Sequence, residues 1–289
     1  MKKIRVALCL SGLIGSDRRF GEGKYINYNL TKEYFDKSLS DNVVEIDYFL
    51  HCWNEDLKTE INNLYKPKKS VFEQPLKKNN NTSSKQYSLI SSHYSKKSVI
   101  ELKKDFEISY NFKYDLVILT RFDILIKKKL DYNSINKSKF YVVGPKKHHA
   151  FWCKCQFCDE NNILHSLNDL IFMSNSKNMD TFSKLYDHLN EYGLNHNHHV
   201  VTKKHLIKTN LYKDIGYFFT LKYNKYVKIW LILEYLKLFP KGMVPVRIYE
   251  TNVPLTRWVI KSSYLKILDF LIFKFKIDFL VEFILFPLV

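Results

Sequence analysis

The chain has 289 residues, 46% of them hydrophobic and 16% aromatic, with 8 Gly and 7 Pro. This composition excludes disordered, low-complexity and fibrous classes and suits one large globular domain or a domain with an appendage. The excess of 46 Lys and Arg over 29 Asp and Glu gives a formal charge of +17, which favours partners that carry phosphate, whether nucleotides, nucleic acid or anionic lipid.

Met1-Lys2-Lys3 followed by an apolar run has the outline of a signal peptide, but Arg5 interrupts it and no small-residue cleavage site follows. Residues 4–10 are therefore read as a buried strand that enters a loop at Ser11-Gly12. Residues 29–39 have helical composition, and 43–53 form a second apolar strand that stops at Asn54-Glu55-Asp56. Together they make a strand-helix-strand unit, the start of a parallel sheet. The polar stretch 77–85 (KKNNNTSSK) reads as a surface loop and 88–111 as a helix. The next strand is the clearest in the chain: Asp115 to Thr120, closing on Arg121-Phe122-Asp123. Further strands are expected at 139–143 and 167–174, and a helix from Met179 to Tyr192 that Gly193 stops. The pattern predicts a doubly wound, mostly parallel α/β domain over residues 1–215 that binds ligands at the carboxyl ends of its strands.

Residues 216–289 are aromatic, aliphatic and sprinkled with Lys, too charged to span a bilayer. They read as a helical, partly amphipathic extension. A helix around Lys225 to Leu233, flanked by Lys222, Lys237 and Lys241, suits a membrane interface, and equally a core helix with a solvated edge. Five cysteines are an odd number, and three crowd into Cys153, Cys155 and Cys158. A reducing, cytoplasmic setting fits this better than a disulfide framework. With His148, His149 and His165 nearby, the cluster has zinc-ligand chemistry. Its irregular spacing and the lack of a second Cys pair favour reduced thiols in an insertion loop over structural zinc. His196, His198 and His199 are read as a polar loop.

A carboxylate just past the end of a parallel strand lies where nucleotides bind, and Asp123 there can hold a divalent cation (Mn or Mg) against a diphosphate. Arg121 beside it offers a planar cationic fork to phosphates. A plainer alternative is a surface Arg–Asp pair that closes the strand.

Four short motifs, in order, resemble those of small GT-A-type glycosyltransferases of capsule and lipopolysaccharide loci. The opening Val6-Ala7-Leu8-Cys9-Leu10-Ser11-Gly12 is similar to theirs, with Arg18 or Arg19 standing for a following arginine. Ile46 to Asn54 resembles their second strand, Tyr114 to Asp123 their acidic motif, and Asn168 to Ser174 a later Asp before an apolar strand. The resemblance covers about two-thirds of the chain. It implies a nucleotide-sugar donor bound across the strand ends, with Ser11, Gly12, Arg19 and Arg121 around it and Asp123 at metal and diphosphate. It also implies a saccharide or lipid-linked saccharide acceptor at the cytoplasmic membrane surface. Arg121 stands where a full Asp-x-Asp has its first carboxylate, so one candidate metal ligand remains and Arg121 can substitute in part for the metal. Asp169 is the candidate to take or position the acceptor hydroxyl's proton, with a strand-start Asp capping local backbone as the alternative. His51 is a second catalytic candidate, with a satisfied structural histidine as its alternative.

Two other classes compete. A basic module could hold nucleic acid through Lys and stacked aromatics, but the Lys residues are dispersed and no binding motif is present, so no nucleic-acid partner is expected. A non-glycosyl group transferase on a similar sheet is the other, and it lacks a phosphate-loop signature.

Overall fold

The computed structural model describes residues 3–14, 28–126, 129–143, 167–218 and 243–245, which belong to one compact unit. Arg19, the Cys153–Cys158 cluster and nearly all of the predicted 216–289 extension lie outside the described residues.

Strand β1 (Ile4–Gly12) is the axis of the fold. Val6, Ala7, Leu8, Cys9 and Leu10 are fully buried, as a run apolar on both faces requires. Val6, Leu8 and Leu10 join one core with Phe35 of α1 (Tyr28–Leu39) and Ile61 of α2 (Lys58–Tyr65). Ala7 and Cys9 join a second core with Leu89 and Val99 of α3 (Ser84–Ser109). Period-two alternation on one strand thus feeds two helical layers. Strand β2 (Val44–Cys52) pairs parallel with β1 from Ile4↔Val44 to Gly12↔Cys52, and β3 (Lys69–Phe72) pairs parallel with β2. The chain then crosses back, and β4 (Leu116–Arg121) pairs parallel with the other side of β1 through Ser11↔Arg121.

Short β5 (Ile124–Ile126), β6 (Phe140–Val143) and β7 (Asn168–Ser174) follow. Next come α4 (Ser176–Ser183), α5 (Leu189–Tyr192), α6 (His198–Lys208), β8 (Ile215–Phe218) and β9 (Met243–Pro245). The main sheet has the order β3-β2-β1-β4-β7-β6-β8, while β5 and β9 form a separate antiparallel pair. Only β7 runs against its neighbours β4 and β6. The predicted mixed α/β fold with a mostly parallel sheet is therefore the observed one.

Three boundaries differ from the sequence reading. Helix α3 begins at Ser84, inside the expected loop, because Ser83 and Gln86 form a reciprocal capping box: Ser83 Oγ accepts from Gln86 N at 3.2 Å, and Ser83 N donates to Gln86 Oε1 at 2.9 Å. The helix expected over 179–192 is broken by a 3-10 turn at Tyr186–His188, and Gly193, at φ 92°, ends it as predicted. His198 and His199 sit in the first turn of α6 and not in a polar loop, with Asn197 accepting from Val200 N at 2.9 Å as its N-cap. Among the described residues no helix is long and apolar enough to cross a membrane.

Candidate functional site

The crossover from β3 back to β4 makes β1 the strand at which the sheet's winding reverses, and the crevice at its carboxyl end is where such sheets bind ligands. Gly12 closes β1 with φ 110°, a backbone state that side chains rarely adopt. Its carbonyl accepts from Trp53 N at 3.2 Å, and Ile14 N donates to Asn54 Oδ1 at 2.9 Å, so the ends of β1 and β2 hold the turn from both sides. Among the described residues, its two chain neighbours apart, no atom lies within 4 Å of the place where a Cβ on Gly12 would stand. Ser11 does something different: it is buried, and its hydroxyl donates to Thr120 O at 3.3 Å, tying β1 to β4.

Across that tie, Arg121 ends β4 opposite Ser11. Its Nε donates to Asp123 Oδ1 at 2.7 Å and its Nη2 to Asp123 Oδ2, a two-pronged pair. Phe122, between them, is buried edge-on to the Tyr65 ring at 5.9 Å and pins the turn to the core. The side chains of Arg121 and Asp123 are 26% and 12% exposed. Burial pulls Arg121 toward neutrality, but the carboxylates of Asp123 and Asp169 outweigh it and raise its pKa. Asp123 thus has both oxygens engaged by Arg121, and among the described residues no group of three or more His, Cys, Asp or Glu is placed to hold a metal ion.

The reversal of β7 brings its first residues to the same edge, since Thr120 faces Ile171 in the register. Asp169 is partly exposed there. Burial pushes its pKa up, but Lys96 of α3, Arg121 of β4, and His198 and His199 of α6 more than reverse this, holding it well below the ordinary carboxylate range. Lys96 is 4% exposed, and among the described residues its Nζ has no hydrogen-bond partner. His93 Nε2, His198 Nδ1 and Thr202 Oγ1 are likewise buried and unpartnered, and the His93 and His198 rings lie 5.5 Å apart. Burial lowers Lys96 to about 8 and His198 to about 4 despite the attraction of Asp169. Such orphaned groups are rare in folded proteins, and Asp169 acts electrostatically on three of them, Lys96, His93 and His198.

No protein-family model and no curated protein matches the chain.

His51, at the end of β2, is fully buried, with Nδ1 2.8 Å from Ser95 Oγ and Nε2 2.8 Å from Glu73 Oε1. Hydroxyl, imidazole and carboxylate stand in the order of a nucleophilic triad. Ser95, however, has no exposed surface on the inner side of α3, so an electrophile has no path to its oxygen. Both ring nitrogens of His51 are used inside the fold. Its ring packs edge-on against Trp53 at 4.8 Å and Tyr94 at 5.7 Å, which fixes it as a structural histidine of the fold.

The structure thus brings Ser11, Gly12, Arg121, Asp123 and Asp169 to one edge of the sheet and turns the His51 ring nitrogens inward. Sequence reasoning missed Lys96, His93 and His198. The signal was there for the first two: the buried stripe of α3 runs Leu89, His93, Lys96, Ile100, Lys103, Glu107, at spacings of three and four. Titratable residues on the apolar stripe of an amphipathic helix are the exception to its logic.

Proposed function

We propose that the protein is a glycosyltransferase of GT-A-like organisation. It would move a sugar from a nucleotide-sugar donor to a hydroxyl of a surface polysaccharide or lipid-linked saccharide, at the cytoplasmic face of a membrane. One observation carries this reading: Gly12, with a backbone state that side chains rarely adopt, and the braced Arg121–Asp123 pair lie on adjoining strand ends at the reversal point of the sheet. A nucleoside diphosphate needs a close backbone approach and a fixed cation, and this edge supplies both.

When the glycosidic bond to the donor phosphate breaks, negative charge grows on the departing diphosphate. A guanidinium already held in place stabilises that charge more than it stabilises the bound donor. Asp123 serves by fixing the fork, and divalent-cation dependence is read by running the assay with and without manganese. Asp169 accepts a hydrogen bond from the acceptor hydroxyl and turns its oxygen toward the sugar carbon. Surrounded by cations, Asp169 stays ionised and orients the nucleophile; as the acceptor oxygen bonds to the sugar carbon, its proton passes to the departing diphosphate, whose oxygen has taken the electron pair of the broken glycosidic bond.

Thermal unfolding with UDP-, GDP- and CMP-linked sugars tests the reading, because a ligand that binds only the folded state stabilises it. A matching donor at 100 times its Kd is expected to raise the midpoint by roughly 5 to 10 °C. No shift across the panel, with or without manganese, rejects the proposal.

A further inference from the structure

Helix α3 inverts its own pattern at its carboxyl end. Its inner stripe closes with two buried charged residues, Lys103 and Glu107, while Ile108 and Tyr110 stand 65% and 66% exposed. Charge inside and apolar surface outside reverse the usual partition of an amphipathic helix. A fixed turn holds the two residues outward. Asn111, at φ 49°, lets the chain reverse; its N–H donates to Ile108 O at 3.3 Å, and Phe112 N donates to Glu107 O at 3.1 Å. These are the paired bonds that close a helix through a left-handed residue. Phe112 folds back with its ring edge-on to Phe106 at 6.0 Å, and the Tyr110 ring lies 4.4 Å from that of Phe106. Single exposed apolar residues are ordinary, but a connected cluster on a rigid turn with a charged rim has the make-up of a contact surface.

The rim is cationic. Arg5, at the start of β1, has its guanidinium 4.7 Å from the centre of the Phe112 ring. Lys3 beside it, Lys104 one helical turn before Ile108, and Lys113 after Phe112 are all exposed. The acids nearby are answered: Asp115 accepts from Arg5 N at 2.9 Å and lies 3.5 Å from Lys137, Asp105 lies 4.0 Å from Lys69, and Glu45 is the register partner of Arg5. Charge then chooses the occupant. A second copy of the chain also carries +17 and sets like charges against each other. A bilayer containing anionic phospholipid offers phosphates to the cations and an interfacial layer in which tyrosine is favoured. We propose that the turn closing α3 is a membrane-contact surface: Ile108 and Tyr110 enter the headgroup layer of an anionic bilayer, and Lys3, Arg5 and Lys104 lie against its phosphates.

This surface lies at the amino ends of the strands, the far side of the sheet from Gly12. Strand β1 has nine residues, which at a strand's rise separates the two ends by about 25 Å. Joined to the sugar-transfer reading, the surface restricts lipid-linked acceptors to saccharides long enough to cover that distance. The surface itself does not rest on that reading.

The test is co-sedimentation and hydrogen exchange of the intact protein with vesicles of phosphatidylcholine alone or mixed with phosphatidylglycerol. The mixed vesicles are expected to bind it, more weakly as salt screens the charge, and to slow amide exchange at residues 108–113. The Ile108→Ser/Tyr110→Ser double variant is expected to bind on the order of tenfold more weakly, and Lys104→Gln about fivefold more weakly at low salt. The local exchange readout separates this turn from any contribution of residues 216–289. Absence of vesicle binding, or binding with residues 108–113 unslowed and the double variant unchanged, overturns the proposal. So does a double variant that unfolds at markedly lower denaturant than wild type, which makes the pair part of the chain's own packing. A double variant that turns a dimer into a monomer in sedimentation makes the turn a contact between copies and equally overturns it. Vesicle binding through this turn without a response to any nucleotide sugar removes the transferase reading and leaves the surface; the reverse result removes the surface alone.

Discussion

Asp123→Ala is expected to lower donor turnover by on the order of 10²-fold while leaving the midpoint of thermal unfolding within a few degrees of wild type. The carboxylate engages both Nε and Nη2 of Arg121, so its loss frees a long side chain to sample other rotamers. A guanidinium that must meet a developing charge loses most of its effect when displaced by about 1 Å. Arg121→Lys is expected to fail almost as badly, because an ammonium keeps the charge but loses the planar fork that two oxygens of Asp123 hold. Steady-state donor hydrolysis with wild type and both variants measures this. Turnover that survives Asp123→Ala unchanged would remove the pair from the chemistry.

The second large effect lies at the opposite edge of the sheet. Lys103→Met is expected to lower the unfolding free energy by about 3 kcal/mol at neutral pH, read from denaturant titration. The Lys103 and Glu107 side chains are fully buried, and Lys103 Nζ meets Glu107 Oε2 at 3.1 Å, Ser176 Oγ at 2.6 Å and Asp180 Oδ1 at 2.6 Å. Glu107 also accepts from Ser176 Oγ, Tyr114 N and Lys113 Nζ, each at 2.9 Å. Removing the lysine leaves a buried carboxylate with too little positive charge, and the exposed Lys113 keeps the loss at the lower end of the usual range. Burial raises the pKa of Glu107, but its hydrogen bonds and the two lysines more than reverse this. Its stabilising contribution is therefore present above the ordinary carboxylate range and lost as pH falls through the folded value. The difference between wild type and Lys103→Met should accordingly shrink in acid, where Glu107 binds a proton in both. Lys103 thus differs from Lys96, whose buried Nζ makes no hydrogen bond among the described residues.

Much of the scaffold was legible in the sequence because β1 and β4 are buried on both faces and read as apolar runs; β1, β2, β4 and β7 each lie within a few residues of their expected spans. Short elements escaped. β3 and β8 have four residues each and no distinctive pattern, and β8 depends on pairing with β6 from far along the chain. Direction was also hidden, since nothing in Asn168 to Ser174 says that β7 runs against β4. Yet that reversal is what carries Asp169 to the edge where Arg121 ends. That Gly12 and Arg121 end neighbouring strands follows from the parallel pattern of their apolar runs; a shared ligand for them and Asp123 was an implication of the family resemblance. The fate of His51 was not legible, because Ser95 and Glu73, which occupy its ring nitrogens, come from α3 and the end of β3, and no local pattern couples them to residue 51.

Hydrogen exchange of the intact protein with and without each nucleotide sugar reaches the central claim most directly. Donor binding is expected to slow amide exchange together at Ser11 to Ile14, where Gly12 presents its backbone, and at Arg121 to Ile124. Slowing confined to other elements, or absent at both strand ends with a donor that demonstrably binds, would contradict a diphosphate seat between β1 and β4.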